Sequence, residues 1–385
     1  MRNKITLIEG ENIFSEDKEV SEKLNSFFIN AVSNLNIPGF DTNEFIYNND
    51  YSLIINIKDK FKNHPSILKI RENINISPDN KFSFDTSDNI DLEHKIYNLN
   101  DKAASPYDIP VKILKGSCDV VLPYLTEIYK ISCLNNDFPN PLKEAIITPV
   151  HKNGDRSLKD QYRPVSILPT ISKIYEKEMY EQIDSYFQKY FSPFLCGFRK
   201  GHNTQHCLII LIENWKAAID NNKKAGAVLT DLSKAFDSLN HELLLAKLDA
   251  YGFDEPSLNF IHSYLLNRKQ RTKVNNTLSS WAPVNSGVPQ GSILGPLLFN
   301  IYMNDIFWFT PEVNIVNYAD DSTPYATSNN IQILLDILKN NTEILMQWFN
   351  ENYMKSNNDK YNLLISSPNE VSIKIGSDEI VNESL

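Results

Sequence analysis

The chain has 385 residues, 42% hydrophobic and 22% charged, which suits a globular protein with room for two or three structural units. No apolar run nears the ~18 residues of a membrane span, the start lacks the apolar stretch of a signal peptide, and the four cysteines form no C-x-x-C pair, so membrane insertion, disulfides and structural zinc are not expected and an intracellular, reducing setting is. A net charge of −10 argues on its face against a nucleic-acid partner, which makes the distribution of charge more informative than its sum.

Apolar spacing at Leu24, Phe27, Phe28 and Ala31 predicts a short amphipathic helix over about 21–32. The Asn- and Asp-rich sequence that follows, to about residue 95, reads as a loosely packed extension with no assignable chemistry. Helices are expected over 92–98 and 120–134, a strand over 145–150, a turn at 151–156 and an extended piece over 163–168. A long helix over 172–190 should bury Ile174, Met179, Ile183 and Phe187, and a second over 204–221 carries Leu208, Leu211, Ile212 and Trp215. Then come a strand at 227–232, helices at about 240–250 and 256–266, a hairpin over 270–285 and a helix over 294–309. A hairpin with Asp320-Asp321 as its turn precedes the longest helix, 331–352, and short strands at 361–365 and 371–375 follow. The pattern is α+β, with an antiparallel sheet carrying the acids.

Those acids are the most informative residues. Asp231 ends one apolar run, and Asp320 and Asp321 end another. Two such charges ~4 Å apart repel by about 4 kcal/mol at an effective dielectric of ~20, so a fold that gathers them needs a cation. A few oxygen ligands suit Mg²⁺, which completes its shell with water and substrate phosphates, and paired ions of this kind serve nucleotidyl transfer. Isolated, an Asp-Asp pair between strands is usually a solvated turn. A basic run at 268–273 holds Arg268, Lys269, Arg271 and Lys273 without an acid, and Arg199-Lys200 forms a second basic group.

Five segments occur in order: Gln161-Tyr162-Arg163-Pro164-Val165-Ser166; Gly197-Phe198-Arg199-Lys200-Gly201-His202-Asn203-Thr204; Asp231-Leu232-Ser233-Lys234-Ala235-Phe236-Asp237; Gly287-Val288-Pro289-Gln290-Gly291-Ser292 with Leu294-Gly295-Pro296; and Tyr318-Ala319-Asp320-Asp321. With these the chain resembles the reverse transcriptases of non-LTR, LINE-type retrotransposons, close to the jockey-like group, over roughly residues 100–375. The resemblance implies a right-hand polymerase. Residues 1–95 would be an extension, 96–225 fingers-like and 226–385 palm, with the reverse transcriptase domain over about 131–385.

It also implies roles. Asp231 and Asp320 would hold two Mg²⁺ (or Mn²⁺) ions, with Asp321 a less direct third ligand and the Leu232 carbonyl another. Phe236 would pack under the sugar and exclude a 2′-hydroxyl, and Gln290 would contact the incoming nucleotide. Lys152 and Arg163 would meet the triphosphate, and Lys360 of the Asn357-x-x-Lys360 element would protonate pyrophosphate. Arg199, Lys200, Arg268, Lys269, Arg271 and Lys273 would lie on template backbone. Asp237 reads instead as a cap for the helix around 241–248. The implied partners are an RNA template, a DNA primer and dNTPs, with the endonuclease on a separate or lost domain.

The chain departs from the family pattern at both ends. Residues 1–95 are too short for the family's endonuclease, and after about 377 the helical thumb is expected to be missing, as in a truncated copy. The alternative reading is a catalytically silent nucleic-acid-binding remnant, separated from an enzyme by activity on a primed template. Intron-type and telomerase-type enzymes share the chemistry, but neither a maturase thumb nor a telomerase RNA-binding domain is visible.

Overall fold

The computed structural model describes residues 5–40, 52–87, 90–100, 108–310, 312–366, 371–375 and 378–382. The fold is mixed α and β. Four strands make the acid-bearing sheet, in the order Asn314–Tyr318, Asp321–Ser328, Lys224–Leu229 and Asn362–Ile365, antiparallel throughout. Helix Ile331–Glu351 covers one face of it, burying Leu334, Leu338, Leu345 and Trp348, and Asn330 caps its start by accepting from the Gln332 and Ile333 amides.

The second sheet runs Tyr162–Ile167, Glu144–His151, Arg268–Val274 and Thr277–Leu278, with Ala282–Val284 also on Arg268–Val274. The hairpin expected over 270–285 is present, with Thr277–Leu278 and Ala282–Val284 antiparallel to Arg268–Val274. Beyond that expectation, Arg268–Val274 also lies parallel to Glu144–His151 and so sits inside the sheet. Its pairing is nonlocal, so nothing in the local sequence signals it.

The described residues before 95 are packed, not loose. Helix Asp17–Ile29 lays Leu24 and Phe28 into a core with Ala145, Ile147, Tyr162 and Val274. Asn25 accepts from Thr272 Oγ1 at 3.1 Å and donates to the Ser280 carbonyl at 3.2 Å. Helices Ser52–Phe61 and Pro65–Asn73 pack on His241–Ala250 and give Ile57, Phe61, Ile67 and Ile70 to the main core. The polar composition had hidden these apolar stripes.

Helix Thr170–Phe187 buries Ile174, Met179, Ile183 and Phe187, as its spacing predicts. Its Glu176 is buried too, and accepts from the Ile293 and Leu294 amides at 2.6 and 3.3 Å, at the entry to helix Gly295–Met303. Helix Thr204–Asp220 differs from expectation. Leu208 and Ile212 are 55% and 49% exposed, while Cys207, Ile210, Leu211 and Trp215 pack toward the acid-bearing sheet and Ala218 is buried. Among the described residues no helix is long and apolar enough to cross a membrane.

Candidate active site

The three acids come together through strand register. Ala227 faces Tyr325 and Thr230 faces Ser322, which sets Asp231 opposite Asp321. Residues so opposed stand about 4.5–5.5 Å apart at Cα. Tyr318 pairs with Asp321, so the turn residues are Ala319 and Asp320, one position earlier than expected, and Ala319 takes a positive φ of 59°.

The turn is held from two sides. The buried Asn317 amide donates to the Ala319 carbonyl at 3.0 Å, the Asp321 carbonyl at 3.2 Å and Ser322 Oγ at 3.0 Å. From the other side, the Asn317 carbonyl accepts from the Cys196 amide at 2.9 Å. Gly197 follows against the turn, where a Cβ would lie 2.3 Å from the Ala319 nitrogen.

Burial raises the Asp320 carboxyl above its ordinary value, and the charge of Asp231 adds to this. Asp321 is also raised, by burial first and then by Asp320 and Asp231. Asp231 Oδ2 accepts from Asn357 Nδ2 at 3.0 Å and Lys360 Nζ at 2.9 Å, and the Asp231 carbonyl accepts from the Asn357 amide at 2.9 Å. Leu232 pairs with Ser356. Among the described residues no group of three or more His, Cys, Asp or Glu side chains is placed to hold a metal ion.

Arg163 and Lys360 are near enough to Asp320 to offset part of its rise. Lys152 is exposed in the turn after strand Glu144–His151, and Arg163 is exposed on the paired strand. Partial burial lowers the Lys152 ammonium, and the nearby charges of Lys234, Arg163 and Lys360 lower it further. Lys234 was missed by sequence reasoning. The signal available was its place three residues after Asp231.

Phe236 is half-buried, stacked on Phe299 at 4.5 Å between centroids and met edge-on by Phe198 at 5.6 Å. Beside it, the 287–291 loop is latched to the chain after Asp231. Gly287 has φ +73°, and a Cβ there would lie 2.5 Å from the Phe236 carbonyl. His241 Nε2 lies 2.6 Å from the Gly287 carbonyl. Gln290 Nε2 donates to Asp237 Oδ1 at 2.9 Å, and the Gln290 carbonyl accepts from the Ser166 amide at 2.7 Å. Asp237 is thus not a helix cap. Asn240 caps helix His241–Ala250, and Asp237 orients Gln290 instead.

The basic residues divide. Arg268 is 3% exposed, donates to the Tyr264 carbonyl at 2.9 Å and lies over the Tyr264 ring. Strand alternation turns Arg268, Gln270, Thr272 and Val274 inward, leaving Lys269, Arg271 and Lys273 on the other face. Arg271 stacks on Trp281 at 4.3 Å. Arg199 is committed to structure as well: its Nη1 donates to the Ser192 and Leu195 carbonyls at 2.7 and 3.1 Å, over the Phe191 ring. Lys200 is exposed. Arg268, buried and held by Tyr264, is therefore corrected from a template contact to a structural residue. A cavity of about 810 Å³ opens between helix Thr204–Asp220 and the acid-bearing sheet, bordered by Leu208, Trp215, Asp231, Asp321 and Lys360.

Residues 150–375 match the family model for reverse transcriptase (RNA-dependent DNA polymerase). The chain is 32% identical over 200 residues to a probable RNA-directed DNA polymerase from transposon BS of Drosophila melanogaster, covering 51% of this chain and 22% of that protein. It is 31% identical over 241 residues to the RNA-directed DNA polymerase from mobile element jockey of the same fly, covering 60% and 26%. A Pol polyprotein from the type-1 retrotransposable element R1 of Bradysia coprophila is 26% identical over 252 residues, covering 64% and 25%. The chain spans about a quarter of the length of these curated relatives. The matched region takes in more than half of the chain and holds Asp231, Asp320, Asp321, the 287–291 loop and Lys360. The chain belongs to the reverse transcriptase (RNA-dependent DNA polymerase) family.

Proposed function

We propose that this chain is the polymerase core of a non-LTR mobile element, extending a DNA primer on an RNA template from dNTPs. The observation that carries the reading is the register that sets Asp231 opposite Asp321, with Asp320 in the adjoining turn. The acid-bearing sheet serves as palm and the second sheet as fingers. Asp231, Asp320, Asp321 and the Leu232 carbonyl offer hard oxygen donors too few to close a cage, which suits Mg²⁺ or Mn²⁺ ions that complete their shells with substrate phosphates. Such ions, when bound, activate the primer 3′-hydroxyl and neutralise charge on the triphosphate.

The protein's own groups do the rest. Lys152 and Arg163 bind the triphosphate from the fingers side. Lys360 sits on an exposed ion pair, cheap to break, and is the general acid for departing pyrophosphate. Asp237 fixes the Gln290 amide beside the nucleotide. Primer extension with dNTPs and Mg²⁺ on a homopolymer RNA tests the reading, and a folded chain that extends no primed template overturns it.

Phe236, backed by Phe299, excludes a ribose 2′-hydroxyl by steric clash. Phe236→Val should raise ribonucleotide over deoxynucleotide incorporation by roughly tenfold or more, the discrimination that a small steric change commands. An unchanged ratio in a folded variant removes Phe236 from the sugar site.

Lys269, Arg271 and Lys273 supply template affinity without sequence preference. Each phosphate contact contributes about 0.7 to the log-log salt slope for a single strand, so replacing all three by Gln should flatten the slope by up to about two. All template sequences should weaken alike. Loss for one sequence alone would mean that these residues read bases.

A further inference from the structure

The N-terminal helix, to which the reading above gives no part in chemistry, reaches the nucleotide site. The Phe27 ring on helix Asp17–Ile29 has Lys234 Nζ at 5.3 Å and Lys159 Nζ at 5.5 Å from its centroid, both within cation–π range. Among the described residues Lys234 forms no salt bridge, whereas Lys159 is paired with Glu9 at 2.9 Å. Lys234 lies three residues after Asp231 and two before Phe236, and its charge is felt at the Asp237 carboxyl that holds Gln290. Its backbone is fixed: φ is +54°, and its carbonyl accepts from the Asp237 and Ser238 amides at 3.0 Å. The helix itself is anchored by Asn25 to Thr272, by Asp17 to Asn275 and by Glu22 to Ser280. A cavity of about 60 Å³ lies where its Phe28 and Ile29, with Val32 just past its end, meet Asp237 and Gln290.

The geometry points to Lys234 as a third triphosphate-binding cation and to Phe27 as the positioning residue that holds it, making the N-terminal helix part of the nucleotide site. The inference rests on the polymerase reading. Lys234 and Arg163 are near enough to Lys152 that, after burial, their charges lower its ammonium, and an anion bound among the three relieves that repulsion. A triphosphate carries that charge in the correct shape. An aromatic ring suits the holding task because it keeps an ammonium in place without neutralising it, as a carboxylate would.

Equilibrium binding of dTTP to the full chain with Mg²⁺ and a dideoxy-terminated primer on an A-bearing template, which blocks turnover, tests this, with dTMP as the competitor that lacks the β- and γ-phosphates. Lys234→Met keeps the stem and removes the charge. It should weaken dTTP by about tenfold, the worth of one charge-assisted hydrogen bond, and leave dTMP unchanged. Phe27→Leu should weaken dTTP by about threefold, the worth of an exposed cation–π contact, while Phe27→Tyr binds as wild type. Equal weakening of dTTP and dTMP, or wild-type binding by Lys234→Met, overturns the inference. Lys152→Met separates it from the broader reading. If Lys152→Met weakens dTTP and Lys234→Met does not, only the role of Lys234 fails; if neither does, the triphosphate wall itself is misassigned.

Discussion

Asp320→Asn is expected to lower the rate of primer extension by about 10³-fold or more while leaving the fold at least as stable. The substitution keeps shape and removes one negative charge from the turn between the edge strand Asn314–Tyr318 and its neighbour Asp321–Ser328. Loss of the charge that gathers metal and phosphate forfeits several kcal/mol of transition-state stabilisation, at 1.36 kcal/mol per factor of ten. Stability moves the other way. Burial, with the charge of Asp231 beside it, holds the Asp320 carboxyl above its unfolded value. A carboxyl raised in this way binds its proton more tightly folded than unfolded, so its ionised form costs stability at pH 7 and the cost is relieved as pH falls through the folded value. Asn removes that cost, and the Tm at pH 7 should be unchanged or higher. Near-wild-type extension by Asp320→Asn would refute the metal-site assignment. A large fall in Tm would show instead that the carboxylate holds the turn together.

The acids were legible because each ends an apolar run, and strands that pair in register bring such ends together. Their supporting residues were not. Asn317 lies in the same run as Asp320, yet its three hydrogen bonds to the turn depend on the strand folding back. Asp237 looked like a helix cap because a helix starts just after it, but Asn240 is nearer, and only the return of the 287–291 loop gives Asp237 its partner. In the basic run, the period-two alternation that withdraws Arg268 was present in the sequence. It was outweighed by charge, since a buried arginine is unusual unless its donors are met, as Tyr264 meets one here. Helix Thr204–Asp220 was readable as a helix, whereas the thinness of its contact with the sheet was not, because periodicity reports a helix's apolar face and not what lies against it.

The two glycines of the Gly197–Gly201 segment should respond differently to alanine. At Gly197 a Cβ would lie 2.3 Å from the Ala319 nitrogen, 3.0 Å from its Cα and 3.2 Å from the Tyr318 carbonyl carbon. All three are backbone atoms of the turn that carries Asp320, so no side chain can swing aside, and the turn itself must retreat by about 1 Å to restore ordinary contact. A shift of that size in a catalytic group costs about 10²-fold in rate. Gly197→Ala should therefore lower kcat for primer extension by about that factor while leaving the salt dependence of template binding as it was, since no template contact is touched. Gly201 has φ +78° and nothing within 4 Å of its Cβ position. Gly201→Ala should bear only the backbone strain of a positive φ, about 1 kcal/mol of stability, and keep kcat. If both variants lose activity equally, the defect lies in folding of the segment. If Gly197→Ala extends primers at the wild-type rate, the close approach of the two backbones is not what holds Asp320 in place.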